Sequence, residues 1–293
     1  METTLRKIQS ELERLKRAVE HLEASMEDRE VTIAETLRRR GFTFGNDCPM
    51  DSVVYPPRPT ARAIDQYYEL LKRYSFRIVL RDIIKHSDGF ERDDLLHYCS
   101  AEKVEEYLQF LTRYRIVERT SRREYTLAGQ QIDSFGGTLE WFVAHVFRRE
   151  FSSAASWGVK VLNTDLGGDY DVIARVEGRL VYVETKSSPP KNIHQEAIDE
   201  FLGRLEDLRP NLAIYLVDTH LRMEDKINKM FRWGLMARRP ALKRRKRLVT
   251  RILNRIFLVP GNIMIINSKP DVVTNLADCL KYFFGMIDQK DLW

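Results

Sequence analysis

Three carboxylates and one lysine in a single stretch of the chain could perform chemistry together: Asp169, Asp171, Glu184 and Lys186. If Asp171 and Glu184 face each other across a β-hairpin, their charges repel, and a cation, a proton or the nearby lysine must compensate. Carboxylate oxygens are hard ligands that suit Mg²⁺. The set therefore predicts a divalent-metal site with an attendant lysine. The alternative is an ordinary surface ion pair between Glu184 and Lys186.

The hairpin that would position these residues is predicted from two apolar, β-branched runs, 170–176 and 180–183. Glu177-Gly178 lies between them, and a glycine in the second turn position tolerates the positive φ of a two-residue turn. This turn sets a register in which Asp171 lies opposite Glu184 and Asp169 lies opposite Lys186. Because strand side chains alternate between faces, all four would share one face. The opposite face would be core, with Val172, Ala174, Val176, Val181 and Val183.

From Phe135 onward, strands alternate with helices, which predicts an α/β sheet. Besides the hairpin, we expect helices at 139–151, 193–208, 224–233 and 272–284, and strands at 157–163, 211–217 and 261–267.

The spacing of Asp171, twelve intervening residues and then Glu184-Thr185-Lys186 resembles the PD-(D/E)xK nuclease superfamily, with its restriction-endonuclease-like fold. The resemblance covers about 135–290 and implies an α/β fold class, a mixed sheet flanked by helices. It also implies that Asp171 and Glu184 bind one or two Mg²⁺ (or Mn²⁺) ions, and that Lys186 positions or activates the attacking water. Tyr170 stands where the family's name places proline.

The same resemblance implies further site residues. Glu140, on the helix before the hairpin, matches an additional acidic metal ligand of the family. Gln195, with His194 beside it, matches a polar residue on the helix after the motif. Asp169 is the alternative metal ligand to Asp171, although the hairpin register favours Asp171.

The N-terminal segment carries a heptad pattern over residues 5–26, which predicts a coiled coil and a homodimer. The alternative is a helix that packs on its own protein. We assign 1–40 to this helix and 41–60, with two glycines and four prolines among residues 41–59, to a linker. The seam residues are Leu5, Ile8, Leu12, Leu15, Val19, Leu22 and Met26.

Residues 61–130 predict a small domain of helices followed by two short strands, which resembles a winged helix. Arg122 and Arg123 at the hairpin tip would suit phosphate groups. However, the helix expected from Ser100 to Thr112 is acidic and matches a polyanion poorly. A module used for packing or protein contact is therefore the alternative to DNA binding, and the nuclease-like domain then spans 135–293.

No acidic residue occurs between Asp225 and Asp271, and this interval is strongly basic. Such a block predicts a polyanion-binding surface, with a solvated basic helix or an anionic membrane surface as alternatives. Leu248, Ile252 and Ile256 recur at four-residue spacing, which indicates a helix with one packed face. The nucleic-acid-binding candidates here are Arg238, Arg239, Lys243, Arg244, Arg245, Lys246 and Arg247.

Composition restricts the remaining classes. The chain has 293 residues, a net charge of +5 and three cysteines without metal-binding spacing, which predicts a reduced, cytoplasmic protein. We find no apolar run long enough to span a membrane and no phosphate-binding loop of the ATP-binding type.

Together these features predict a Mg²⁺-dependent endonuclease that acts on DNA, with RNA also possible as substrate. The alternative is a non-catalytic nucleic-acid-binding or regulatory protein with the same fold. A further protein partner is possible in either case.

Overall fold

The computed structural model describes residues 12, 14–16, 31–129, 132–245, 247–253 and 255–291. Residues 12 and 14–16 are helical, but most of the heptad segment 5–26 lies outside the described residues, as does Lys246. The coiled coil and the homodimer therefore stay predictions.

Helices and strands alternate over most of the described chain. The helices are α1 (Ile33–Arg39), α2 (Ala61–Leu71), α3 (Tyr74–Lys85), α4 (Ala101–Arg113), α5 (Gly136–Glu150), α6 (Gln195–Leu208), α7 (Ile227–Arg238) and α8 (Val272–Asp291). The strands are β1 (Phe90–Glu91), β2 (Val117–Arg119), β3 (Glu124–Leu127), β4 (Ala154–Lys160), β5 (Asp169–Val176), β6 (Arg179–Lys186), β7 (Leu212–Val217), β8 (Thr250–Leu253), β9 (Ile256–Val259) and β10 (Ile263–Asn267).

Seven strands form one mixed sheet in the order β4-β5-β6-β7-β10-β9-β8. The centre, β6-β7-β10, is parallel, and both outer groups pair antiparallel. Buried residues of α5 and α8 pack on one face of this sheet, while α6 and α7 cover the other face. The predicted α/β class, a mixed sheet flanked by helices, is confirmed.

The β5–β6 hairpin has the predicted register. Val172 pairs with Val183, and the pairing continues in step to Val176 and Arg179. Both turn residues, Glu177 and Gly178, have positive φ, at 46° and 74°. That backbone matches the right-handed twist of the flanking strands, and the five predicted valine and alanine residues are buried together in the core.

One sequence prediction is wrong. Leu248, Ile252 and Ile256 do not lie on one helix, because Thr250–Leu253 and Ile256–Val259 are two antiparallel strands at the edge of the sheet. A four-residue spacing is close to one helical turn, but it is also two full strand repeats. The apolar spacing alone therefore could not distinguish the two structures.

Residues 61–129 also contain a small antiparallel sheet in the order β1-β3-β2. This region shares a continuous hydrophobic core with the large sheet, since Tyr67 and Phe76 belong to the same cluster as Trp141 of α5. The domain boundaries remain a prediction, as does the winged-helix resemblance.

Residues 43–48, within the predicted linker, lie along β4. The backbone amide of Gly45 donates to Lys160 O at 2.8 Å, and that of Cys48 donates to Trp157 O at 2.7 Å. α1 precedes this segment and begins with a capping box between Thr32 and Glu35. Across the described residues, no helix combines the length and apolar character needed to cross a membrane.

Candidate active site at the open end of the hairpin

Asp171 lies where the two strands of the hairpin stop pairing. Backbone pairing of β5 with β6 is present at Val172 and Val183 and is absent one step beyond. There the Asp171 carboxylate replaces the backbone pairing, because its Oδ2 accepts hydrogen bonds from the Thr185 amide at 2.7 Å and from the Thr185 hydroxyl at 3.1 Å. This holds Asp171 beside the Glu184-Thr185-Lys186 segment, as the sequence predicted.

Glu184 is almost completely buried, with 1% of its surface exposed. Lys186 Nζ donates to its Oε1 at 2.8 Å, and the Tyr182 hydroxyl donates to its Oε2 through a short bond. The Glu184–Lys186 pair therefore exists, but on a buried carboxylate rather than on the surface. Burial lowers the pKa of Lys186, whereas Glu184 and Asp171 raise it more, so the pKa ends above its ordinary value. Lys186 is an ammonium group at neutral pH.

Arg204 is a site residue that the sequence analysis missed. It reaches from α6, and its Nη1 donates to Glu184 Oε1 at 3.2 Å and to Oε2 at 3.1 Å. Gly168, with a φ of 82°, makes room, because a Cβ there would lie 3.3 Å from Arg204 Nη2. Arg204 follows the buried Phe201 by three residues, a spacing that places it on the sheet-facing side of α6. That spacing was the available signal.

Glu140 approaches the same place from the first turns of α5. Its Oε2 lies 3.8 Å from the position of a Cβ on Gly158, which falls in β4 opposite Asp171. Burial raises the pKa of Glu140 to about 9, and the charges of Asp171 and Glu184 add to this effect. The structure thus brings Glu140 near both hairpin carboxylates, as the family resemblance implied.

Asp171 is perturbed in the same direction. Burial and the neighbouring Glu184 raise its pKa to about 7, against the opposing effects of Lys186 and the Thr185 amide. We call Glu140, Asp171 and Glu184 the carboxylate cluster. The raised pKa values of Glu140 and Asp171, caused by burial and by nearby negative charge, mark a place that favours added positive charge.

The carboxylate cluster supplies oxygen ligands that fit Mg²⁺. No hydrogen-bond donor of the described residues reaches the Glu140 carboxylate, and the Asp171 carboxylate accepts through Oδ2 alone. However, within the described part of the chain no three His, Cys, Asp or Glu side chains already converge tightly enough to hold a metal ion. Mg²⁺ commonly binds one or two carboxylates together with water and substrate phosphates. The residues fit a site of that kind, completed by water and substrate.

Two other predicted site residues lie at a distance from this chemistry. Asp169 is exposed, and in the β4–β5 strand pairing it lies opposite Lys160. Its negative charge helps to raise the pKa of Glu140. Gln195 turns toward α7, because its Nε2 donates to Asp199 Oδ1 at 3.1 Å and to Met230 O at 3.2 Å. His194 is exposed at the start of α6.

The predicted nucleic-acid-binding residues do not surround the carboxylate cluster. Arg238 and Arg239 line a pocket with Ala213 and Ile263, at the amino ends of β7 and β10. Lys186, in contrast, pairs with Val217 at the carboxyl end of β7. The other described members of this set are exposed, namely Lys243, Arg244, Arg245 and Arg247, together with Arg122 and Arg123 at the tip of the β2–β3 hairpin.

Comparison with known proteins identifies no family. The chain matches no protein-family model and no curated protein. Its structure is similar to the crystal structure of VC1899 from Vibrio cholerae, with 17% identity, a TM-score of 0.46, and coverage of 87% of this chain and 62% of that one. It is also similar to Can2 from Sulfobacillus thermosulfidooxidans in complex with cyclic tetra-adenylate, with 13% identity, a TM-score of 0.47, and coverage of 86% and 60%. The chain thus spans about three fifths of the length of each.

Proposed function

We propose that this protein is a metal-dependent nuclease that hydrolyses phosphodiester bonds in nucleic acid, with DNA as the first candidate substrate. The observation that carries the proposal is the carboxylate cluster with Lys186 at its side. The three carboxyl groups lie close enough that Asp171 and Glu184 raise the pKa of Glu140 and Glu184 raises that of Asp171, and their oxygens suit a divalent cation.

In this proposal Asp171 and Glu184 hold Mg²⁺ (or Mn²⁺), with Glu140 as an additional ligand. The bound ion would supply Lewis-acid stabilisation and an activated water. Lys186 is charged at neutral pH, so it contributes a hydrogen-bond donor and positive charge for the phosphate rather than a base. Arg204 orients Glu184 through its two contacts and adds a second positive charge.

A second function has an observation in its favour. Both oxygens of Glu184 already accept bonds, from Lys186, Tyr182 and Arg204. A carboxylate so well satisfied is also what a non-catalytic nucleic-acid-binding protein with this fold would retain. Under that alternative, the protein binds nucleic acid and leaves it intact.

Cleavage assays separate the two functions. We would test supercoiled, linear and branched DNA and RNA with Mg²⁺ or Mn²⁺, using wild type, Glu184→Ala and Lys186→Ala. We expect wild-type cleavage and a loss of about 10²–10³-fold in rate for Lys186→Ala, the size found when one charge-stabilising donor is removed. Lys281→Ala, at an exposed position of α8, is the matched control and should cleave like wild type.

Two results would contradict the proposal. A wild type that binds but cleaves no substrate would favour the non-catalytic function. Cleavage that survives both Glu184→Ala and Lys186→Ala would refute the assigned site.

A further inference from the structure

Three arginines line a second pocket on the large sheet, outside the carboxylate cluster. We call Arg222, Arg251 and Arg255 the arginine pocket, which has a volume of about 220 Å³. Phe257 and Asn267 also line it, and Glu224 is the acidic residue of its lining. The lining therefore carries three positive charges against one negative charge, which favours an anion.

Two of the arginines are held in place. The Arg251 guanidinium lies 5.4 Å from the centroid of the Phe257 ring and forms a short ion pair with Glu224. Arg255 Nη1 donates to His220 O at 3.3 Å. Each bond uses only part of a guanidinium, which carries five N–H donors in a planar fork. Donors therefore remain for a ligand.

Arg222 differs from these two because it is exposed and no described residue contacts its guanidinium. It belongs to the loop after β7, between Val217 and the start of α7. A charged group with no hydrogen-bond or ion-pair partner among the described residues, next to two fixed arginines, is available for an anion. The guanidinium geometry suits phosphate oxygens in particular.

The arginine pocket lies on the same edge of the sheet as Lys186. Lys186, Val217 and Asn267 are neighbours across β6, β7 and β10 at their carboxyl ends. The pocket surrounds Asn267 and the start of β9, two to three strands from β6, which at the usual strand spacing is about 10–14 Å. Between them, Lys226 Nζ donates to Lys191 O at 2.8 Å, so the loops after β6 and β7 meet there and add two cations.

We propose that the arginine pocket binds a backbone phosphate of a polynucleotide strand that extends from Lys186 along this edge. Along the axis of a B-form duplex the phosphates of one strand recur every ~3.4 Å, so the pocket phosphate would lie about three to four nucleotides from the one at Lys186. The strand then crosses the carboxyl ends of β6, β7 and β10, away from Arg238 and Arg239. This inference rests on the proposed function for its direction, but the pocket can be tested without cleavage.

The test is a binding assay in EDTA, in which no hydrolysis occurs. Fluorescence anisotropy would follow labelled DNA and RNA of about 30 nucleotides, single- and double-stranded, over a range of salt concentrations. The variants are Arg222→Gln and Arg255→Gln. Arg179→Gln is the matched control, because Arg179 is exposed at the opposite, amino end of β6. Inorganic phosphate, AMP and a polyglutamate peptide serve as competitors.

We expect both pocket variants to weaken binding on every sequence and to reduce the salt slope by about 1 each, as for one lost phosphate contact. Arg179→Gln should leave affinity and slope unchanged. Arg222 has no described side-chain partner to lose, so a binding defect in that variant is not a folding defect.

Three results would overturn the inference. The first is that the pocket variants bind polynucleotide as well as Arg179→Gln does. The second is that phosphate or AMP binds the pocket while polynucleotide affinity is unchanged in the variants, and the third is that the acidic peptide binds the pocket more tightly than polynucleotide does. A wild type that cuts nothing but shows the expected losses would refute the nuclease proposal and leave the pocket assignment standing. If wild type cleaves nucleic acid and the pocket variants bind it normally, the pocket assignment is refuted and the nuclease proposal stands.

Discussion

Two buried carboxylate sites on neighbouring strands of this protein have opposite electrostatic states. Asp218, directly after β7, is completely buried and is paired with Arg77 Nη2 at 2.8 Å and Arg77 Nε at 2.9 Å. Arg81 also contacts it closely. Burial raises the pKa of Asp218, but the two arginines lower it more, to about 2. In the carboxylate cluster, by contrast, the pKa of Glu140 rises to about 9.

Burial alone therefore does not decide the protonation of these groups. At Asp218, two guanidinium groups face one carboxylate, so the charged form is stable. Around Glu140 and Asp171, burial and the neighbouring carboxylates raise the pKa more than the positive charges of Lys186 and Arg204 lower it. We therefore expect the first site, which joins α3 to the large sheet, to stabilise the fold, and the second to destabilise it when no cation is bound.

The largest expected difference between the two sites concerns stability. Asp218→Ala leaves the buried Arg77 guanidinium without its carboxylate, which typically costs about 3–5 kcal/mol. Urea unfolding of both proteins would measure the loss. The matched control is Glu106→Ala, which removes exposed ion pairs with Arg73 and Lys103, each at 2.6 Å, and should cost about 1 kcal/mol. Equal losses in the two variants would show that the Asp218 contacts are no stronger than a surface pair.

Acid should remove the Asp218 contribution selectively. The pKa is about 2 in the folded protein against an ordinary 3.8, so unfolding takes up protons at low pH. The stabilisation is complete above about pH 4 and is lost as the pH falls through about 2. At 1.36 kcal/mol per pKa unit, the shift corresponds to a stabilisation on the order of 2 kcal/mol. Between pH 5 and pH 2, the free energy of unfolding should decline less steeply for Asp218→Asn than for wild type. Parallel curves for the two proteins would contradict a lowered pKa for Asp218.

The two sites also differ in how far the sequence could predict them. The hairpin was predictable, since the Glu177-Gly178 turn and strand alternation are local features that fix register and faces. The Arg77–Asp218 pair joins positions 141 apart, and neither residue belongs to a recognisable motif. Arg204 is an intermediate case, because its spacing from Phe201 places it on the sheet-facing side of α6, but only the crossing of α6 over β6 brings it to Glu184. Long-range packing therefore accounts for most of what the sequence analysis missed.

In the carboxylate cluster, removing a charge should stabilise the protein rather than weaken it. Glu140→Gln keeps the shape, loses no described hydrogen bond and removes repulsion with Asp171 and Glu184. Because the folded pKa is raised, the penalty grows as pH rises from about 4.5 toward about 9. We expect a gain of ~1.4 kcal/mol for each pKa unit relieved, larger at pH 8 than at pH 4 in urea unfolding.

Glu118→Gln, at an exposed position on β2, provides the control and should be neutral at both pH values. A loss of stability in Glu140→Gln would indicate that Glu140 is held by favourable contacts like those of Asp218, and the contrast between the sites would fail.

The smallest expected effect is the most specific to the proposed metal site. A divalent cation that binds the folded state adds RT ln(1 + [L]/Kd), or ~1.4 kcal/mol at ten times Kd. For a chain of this size we expect Tm to rise by a few degrees with Mg²⁺ at pH 8. The rise should shrink at pH 5.5, where protons compete for Asp171 and Glu140. It should vanish in Asp171→Asn and persist in Asp218→Asn, because Asp218 is already neutralised by Arg77. A Tm shift that is the same in both variants would place the cation outside the carboxylate cluster.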